Sequence, residues 1–158
     1  LSQPYATIQT GEEHWHGIAR LVPSPLNPLV AAMAPRWPDA VPHLTFFRKS
    51  PHGQPEPNFI HSDEGMGEWT AILYLNPTPM DGDGTDFWRF RQTGATSGSA
   101  RDLPKDAALW ERWKHVDARF NRLLLFDSLY FHSRAIQDNY GEGDGARLIQ
   151  VAFGRWAA

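Results

Sequence analysis

Short runs of apolar and aromatic residues, separated by clusters of Gly, Pro, Asn and Asp, make up most of the chain. Such runs are typical of β-strands, and the clusters are typical of the turns between them. Examples of the clusters are Asn-Pro-Thr-Pro at 76–79 and Asp-Gly-Asp-Gly at 81–84. The pattern predicts strands at residues 43–49, 58–61, 69–76, 85–91, 121–126, 131–137 and 147–156.

The front of the chain is rich in proline and contains one helix signal. Ser24 followed by Pro25 is a common helix start, because serine caps the first turn and proline fits its first position. We therefore expect a short helix from there through Met33, ended by Pro35 and Pro38. Residues 1–42 are expected to form a helical and loop region in front of a β core at 43–156.

About seven or eight short strands with few helices predict a mainly β fold, a β-sandwich or jelly roll with a few flanking helices. At 158 residues, the chain is expected to form one domain with a sizeable core. The segment 91–105 contains several Gly and Ser residues and is expected to be a plain loop that joins a strand to a helix.

Composition narrows the possible functions. A net charge of −3 offers no basic field for a nucleic acid, and no apolar stretch reaches the length of a membrane span. Leu1 opens no charged-then-apolar signal pattern, so we expect a cytoplasmic protein with neither a membrane nor a nucleic-acid partner. The chain has no cysteine, so any metal must be held by histidines and carboxylates.

His61-Ser62-Asp63 is the main candidate for a metal site. Residues two apart on an extended segment share a face, so His61 and Asp63 can bind the same ion. His132 follows a later predicted strand and supplies a second imidazole. Two histidines and one carboxylate are the face that non-haem Fe(II) oxygenases use, because it leaves other coordination positions open.

A second triplet, His115-Val116-Asp117, has the same spacing. It lies in the segment 106–120, where Leu109, Trp113, Val116 and Phe120 recur at a helical period, so we predict a helix there. Residues two apart on a helix point to nearly opposite sides. We therefore expect only the first triplet to bind a metal.

Four blocks of sequence resemble the Fe(II)/2-oxoglutarate-dependent dioxygenases, in particular the prolyl-hydroxylase-like branch. The blocks are HSD followed after five residues by WTAILYLNP, then GDGTDFW, then NRLLLFDSLYFHS, then GARLIQVAFGRW. The resemblance covers about residues 43–156. It implies a double-stranded β-helix, a jelly roll whose mouth holds iron.

The resemblance also implies the roles of individual residues. His61, Asp63 and His132 would be the iron ligands and the catalytic centre. Arg147 would pair with the distal carboxylate of the cosubstrate 2-oxoglutarate, and Tyr74 would support the same carboxylate. The implied enzyme uses O2 to hydroxylate an amino-acid, peptidyl or other small organic substrate.

Alternatives stay open for these residues. Arg134 shares a face with His132 if that segment is extended, so it is the rival of Arg147 as the cosubstrate anchor. Arg147 would instead lie at the surface if it pairs with Asp144 or Glu142.

Two other classes of function also remain. The first is a jelly-roll binding module that holds a metal without turnover. The second is a zinc hydrolase, in which two histidines and an aspartate activate water.

Overall fold

The computed structural model of the protein describes residues 4–10, 12–24, 27–101 and 103–158. Within these ranges the fold is mainly β, with two antiparallel sheets and few helices, as predicted. The elements are β1 (Ala6–Thr10), β2 (Glu13–Leu21), α1 (Pro28–Met33), β3 (Ala40–Ser50), β4 (Trp69–Tyr74), β5 (Gly84–Phe90), β6 (Trp110–Asp117), β7 (Leu123–Asp127), β8 (His132–Arg134) and β9 (Arg147–Trp156).

The larger sheet has the order β1-β2-β3-β9-β4-β7, and the smaller sheet has the order β6-β5-β8. An isolated antiparallel bridge between His61 and His132 extends the smaller sheet beyond β8. From β3 onward the chain crosses repeatedly between the sheets: β3, β4, β7 and β9 lie in the larger one, and the bridge at His61, β5, β6 and β8 lie in the smaller one. This winding agrees with the predicted jelly roll.

The two faces of the larger sheet have different partners, as the alternation along β4 illustrates. Trp69, Ala71 and Leu73 face outward and pack against Leu29 and Met33 of α1 in one buried cluster. The intervening residues of β4 face the smaller sheet. Two of them, Thr70 and Ile72, line a cavity between the sheets. A strand with both faces covered needs the nearly continuous apolar run that this segment has.

The helix starts later than predicted. Asn27, not Ser24, caps α1: its side chain accepts a hydrogen bond from the backbone N–H of Leu29, and Pro28 occupies the first turn. Asn27-Pro28 is as good a start signal as Ser24-Pro25, and it lies closer to the apolar residues of the helix. Pro25 lies outside the described residues. The helix ends at Met33, as expected.

The helix predicted at 106–120 is wrong. This segment forms a short 3-10 turn, Ala107–Leu109, followed by the strand β6. Pairing with β5 runs from Gly84 opposite Asp117 to Phe90 opposite Trp110, interrupted by a bulge. Because β6 is a largely exposed edge strand, it shows no clear apolar alternation, and tertiary pairing decides its conformation. The loop that begins after β5 therefore leads to another strand.

Other strands also differ from the prediction. β1 and β2 form an antiparallel pair within the front that we expected to be helix and loop, and β2 pairs with β3. Their polar sequences lack a clear strand pattern because the pair lies at the sheet edge. The strand predicted at 58–61 is reduced to the bridge at His61. Among the described residues, no helix has the length and apolar character to cross a membrane.

Gly17 allows β2 to approach β3 closely, and this leads to a stability prediction. Gly17 and Gly53 both have positive φ, +67° and +75°. Alanine in this conformation costs about 1–2 kcal/mol at either position. A Cβ at Gly17 would also lie 1.9 Å from the carbonyl oxygen of Lys49, whereas nothing lies within 4 Å at Gly53. We expect Gly17→Ala to lower the free energy of unfolding by roughly 3 kcal/mol or more in urea denaturation, and Gly53→Ala by much less. Equal losses would contradict this account of the contact.

Candidate metal centre and cavity

The structure brings His61, Asp63 and His132 together. The Nε2 atom of His132 lies 3.3 Å from Asp63 Oδ2, and the Nε2 atom of His61 lies 3.7 Å from Asp63 Oδ1. One ligand atom from each residue can be chosen so that all lie within 4.8 Å of one another. Adjacent ligands of an octahedral ion, each about 2.1 Å from it, lie about 3 Å apart. The three side chains therefore need only small shifts to bind one ion.

Backbone hydrogen bonds hold the two histidines side by side. The N–H of His61 donates to the carbonyl of His132 at 2.9 Å, and the N–H of His132 donates to the carbonyl of His61 at 2.8 Å. The N–H of Asp63 donates to the carbonyl of Ser128 at 2.8 Å. These contacts fix both segments before any ion binds.

The outer nitrogen of each imidazole has its own partner. Nδ1 of His61 lies 2.9 Å from the carbonyl of Phe59, and Nδ1 of His132 lies 2.9 Å from the carbonyl of Tyr130. A carbonyl only accepts, so each Nδ1 donates a proton to it and each Nε2 is directed toward the site. Metal-binding histidines commonly have this second contact, which sets the tautomer and the ring orientation.

Asp63 is oriented by two hydroxyl groups. Thr70 of β4 donates to Asp63 Oδ2 at 2.7 Å, and Ser128 lies 3.0 Å from the Thr70 hydroxyl. Thr70 and Ser128 are buried. The carboxylate is thereby fixed with Oδ2 beside His132 and Oδ1 toward His61.

The pKa values of the three groups shift in different directions. Burial, together with His132, lowers the pKa of His61 to about 4, so its imidazole is neutral at neutral pH. Burial acts against the charged forms of Asp63 and His132, but their mutual attraction outweighs it. The pKa of Asp63 is therefore lowered and that of His132 raised. A cation on Asp63 would displace the His132 proton, as metal binding to histidine requires.

The second triplet lies on the strand β6 and not on a helix, so the prediction that its side chains point to opposite sides is wrong. His115 and Asp117 share a face of β6, and His115 Nε2 lies 3.1 Å from Asp117 Oδ1. The other ring nitrogen lies 2.7 Å from Asp86 Oδ1, so the two carboxylates contact opposite sides of the ring. Within the described part of the chain, His61, Asp63 and His132 are the one group whose ligand atoms converge as a metal site requires.

A cavity of about 340 Å³ lies between the two sheets and reaches the metal candidates. His61, Asp63 and His132 form part of its wall. Apolar side chains from the inner face of the larger sheet form much of the rest: Leu44, Phe46, Ile72, Ile149, Val151 and Phe153. The cavity therefore joins a possible metal centre to an apolar wall.

Arg147 lines this cavity and is 3% exposed, so it is not part of a surface ion pair. Its Nε donates to both oxygens of the buried Asp83 at 3.0 Å. Burial alone would lower the pKa of Arg147, but Asp83 outweighs burial and the pKa is raised. Within the described residues, both side-chain hydrogen bonds of Arg147 come from Nε, which leaves its two terminal amino groups without a protein acceptor.

Two further arginines line the cavity, and they share one carboxylate. Arg48 Nη2 and Arg134 Nη1 contact Glu56 Oε2 at 2.9 Å and 2.8 Å, and the Glu56 side chain is fully buried. Burial lowers the pKa of Arg48 to about 10. Three guanidinium groups thus face two buried carboxylates, Glu56 and Asp83, and one positive charge remains unbalanced.

The sequence reasoning overlooked Arg48, although a signal for it was available. Leu44, Phe46 and Arg48 alternate along β3 and all line the cavity. The period of two along a strand would have placed Arg48 on the inner face.

Tyr74 is buried beside the cavity but is not part of its wall. Its hydroxyl lies 2.6 Å from the hydroxyl of Thr85, which does line the cavity. Burial raises the pKa of Tyr74 to about 12, so it remains a neutral phenol. In this structure Tyr74 therefore reaches the cavity through Thr85.

One protein family matches part of the chain. The family is DUF6445, a family of unknown function. Its model matches residues 102–145, well under half of the 158 residues. The matched segment includes His132 and Arg134 but not His61, Asp63 or Arg147. No curated protein and no solved structure matches the chain. None of these comparisons assigns an activity to the site.

Substitutions in the triad lead to a metal-binding prediction. His61→Ala, Asp63→Ala and His132→Ala should each weaken Fe(II) binding by about 100-fold or more, since even indirect partners of metal ligands contribute about 10–100-fold. Anaerobic calorimetry measures the affinity, and circular dichroism checks the fold. The variant with His115→Ala and Asp117→Ala is the matched control and should bind Fe(II) like the unaltered protein. Similar losses in both sets would contradict the assignment of the ligands.

Proposed function

We propose that the protein is a non-haem Fe(II) oxygenase that couples decarboxylation of 2-oxoglutarate to hydroxylation of an amino-acid, peptidyl or other small organic substrate. The observation that carries this proposal is the opening of a His-Asp-His triad into a cavity with one unbalanced guanidinium charge. A cation at the triad would balance Asp63, and an anion at the arginines would balance their surplus charge. 2-Oxoglutarate has a keto acid that can chelate the cation and a distal carboxylate that can pair with an arginine.

The donor set supports iron. Two imidazole nitrogens and one carboxylate oxygen, with no thiolate, suit Fe(II) and leave coordination positions for a chelating cosubstrate and O2. The Nδ1 contacts of His61 and His132 and the Thr70 contact of Asp63 fix the directions of the three ligands. With the ligands oriented in advance, little ordering is needed when the ion binds.

Hydrogen-bonding capacity favours Arg147 over Arg134 as the anchor of the distal carboxylate. Arg134 uses both terminal nitrogens on protein acceptors: Nη1 on Glu56 and Asn139, and Nη2 on the carbonyl of Gln137. Arg147 uses only Nε among the described residues and keeps the Nη1–Nη2 edge for a ligand. That planar edge matches a carboxylate in a bidentate contact.

Arg48 is also a poorer anchor than Arg147. Its Nη2 atom contacts Glu56, and its guanidinium lies 4.7 Å from the ring centroid of Trp15. A guanidinium over an aromatic face is held there by the ring electrons, which orients it parallel to the ring. Arg48 is thereby fixed by Glu56 and Trp15.

The bound iron, 2-oxoglutarate and O2 would supply the oxidising chemistry, with succinate and carbon dioxide as coproducts. The protein supplies geometry and a dry cavity. Asp83 orients Arg147, and Tyr74 positions the Thr85 hydroxyl on the same wall. The apolar inner face of the larger sheet keeps water from the reacting centre.

Turnover of the cosubstrate separates an oxygenase from a binding module. Purified protein with Fe(II), ascorbate, O2 and 2-oxoglutarate is expected to release succinate slowly without any added substrate. Release should vanish with Zn(II), which has no accessible redox state, and in the His132→Ala variant. The His115→Ala variant should retain it. Tight Fe(II) binding with neither 2-oxoglutarate binding nor succinate release would instead favour the binding module.

The cosubstrate anchor can be tested without leaving a buried charge unpaired. Arg147→Met combined with Asp83→Asn should weaken 2-oxoglutarate binding by about 2–5 kcal/mol, since a buried carboxylate loses its partner. Fe(II) affinity should stay the same, and calorimetry of the metal-loaded protein measures both. Asp83→Asn alone keeps the guanidinium but removes the group that orients it, and it should weaken cosubstrate binding less than the double variant. A large loss in Arg134→Gln with none in the Arg147 variant would show that Arg134 is the anchor.

A further inference from the structure

The cavity has a charged end and an apolar wall, and the register of the larger sheet fixes their order. Thr70, which holds Asp63, pairs with Phe153, and Phe153 pairs with Leu44. The next inward-facing row is Ile72, Val151 and Phe46. The arginines come after it: Arg48 pairs with Ile149, and Arg147 pairs with Ser50. The apolar wall therefore lies beside the metal triad, and the charged end lies further along the strands.

The buried charges of the cavity leave no partner for a charged substrate group. Three guanidinium groups against Glu56 and Asp83 leave one positive charge at the charged end. A divalent cation on Asp63 leaves one more at the triad. The two carboxylates of 2-oxoglutarate neutralise both. Two further charged residues of the wall, Glu13 and Arg20, belong to β2, and neither is buried.

We infer that the group of the primary substrate that enters this cavity is uncharged and mainly hydrocarbon. The inference rests on the proposed function, because 2-oxoglutarate is what completes the charge balance. A further buried charge would lose its hydration and gain no counter-ion, which is unfavourable. Burying an apolar group is favourable. The side chains beside the triad, such as Phe46, Val151 and Phe153, favour hydrocarbon by contact.

The N-terminal pair of strands adds apolar side chains to the cavity. Ile8 of β1 and Trp15 and Ile18 of β2 line it. Trp15 and Ile18 are three residues apart, which on a regular strand would put them on opposite faces. The pairing of β1 with β2 shifts register here, and Gly17 has φ of +67°, so the irregular backbone turns both side chains inward. Ile18 pairs with Arg48, so these side chains lie at the charged end, while Arg20, which pairs with Phe46, is exposed.

The experiment uses three six-carbon probes with a neutral, an anionic or a cationic head group: 1-hexanol, hexanoate and hexylammonium. The full-length protein is loaded anaerobically with Fe(II) and then saturated with 2-oxoglutarate, and each probe is titrated by calorimetry. We expect 1-hexanol to bind at least about tenfold more tightly than either ion, because only the ions lose a charge's hydration. Tighter or equal binding of hexanoate or hexylammonium would overturn the inference, as would binding of none of the three.

A variant pair locates the binding. Phe46 faces the cavity, and its ring centroid lies 6.2 Å from that of Phe153. Phe46→Ala should weaken 1-hexanol binding by about tenfold, because apolar contact area is lost. Phe120, which is 59% exposed, lies outside the cavity lining, and Phe120→Ala should leave the affinity unchanged. Equal effects of both substitutions would also overturn the inference.

The first step of the titration separates this inference from the proposed function. Failure of the Fe(II)-loaded protein to bind 2-oxoglutarate would overturn the proposed function and remove the dianion on which the charge balance depends. Binding of 2-oxoglutarate followed by a preference for a charged probe would overturn the substrate inference alone.

Discussion

The paired backbone hydrogen bonds between His61 and His132 are the interaction on which the candidate site depends. They join two segments that are far apart in the chain and place the imidazole centroids 4.4 Å apart. His132 and Asp63 attract each other, whereas burial and His132 lower the pKa of His61. A cation shared by the three groups would replace the proton between His132 and Asp63. The convergence of two imidazoles and one carboxylate is the observation that supports the proposed metal centre.

The buried arginines pose the same problem at the other end of the cavity. Removing a guanidinium and a carboxylate from water costs several kcal/mol per ion, and an apolar pair of similar size is often as stable. Arg147 and Asp83 are nonetheless almost fully buried. Burial lowers the pKa of Arg48 to about 10 even though Glu56 opposes the shift. The surplus of buried guanidinium groups over carboxylates is the observation that supports the proposed anion site.

The parts of the fold with strong local patterns could be predicted from the sequence. The strands β4, β7 and β9 of the larger sheet have continuous apolar runs, and His61, Asp63 and His132 could be recognised from their spacing and their place beside strands. The polar strands β1, β2 and β6 could not be recognised, because pairing near the sheet edges decides their conformation. The helical spacing of the apolar residues at 109, 113, 116 and 120 is a coincidence, and only Trp113 and Val116 of these lie in β6.

The partners of the charged residues could not be predicted either. Asp83 was assigned to a turn, yet it is buried against Arg147, which lies 64 residues away in the chain. Glu56 contacts Arg48 and Arg134 from a loop without regular structure. Such contacts depend on how separate segments pack, and no local pattern in the chain specifies them. The balance of charge in the cavity therefore became visible only in three dimensions.

The central claim is that the triad and Arg147 bind one Fe(II) ion and one 2-oxoglutarate in the same cavity. Anaerobic titration of the Fe(II)-loaded protein with 2-oxoglutarate, followed by visible absorption, tests it most directly. A keto acid that chelates Fe(II) gives a weak charge-transfer band, and the account predicts a band that saturates at one equivalent of 2-oxoglutarate. Saturable Fe(II) binding with no such band at any concentration of 2-oxoglutarate would contradict the claim.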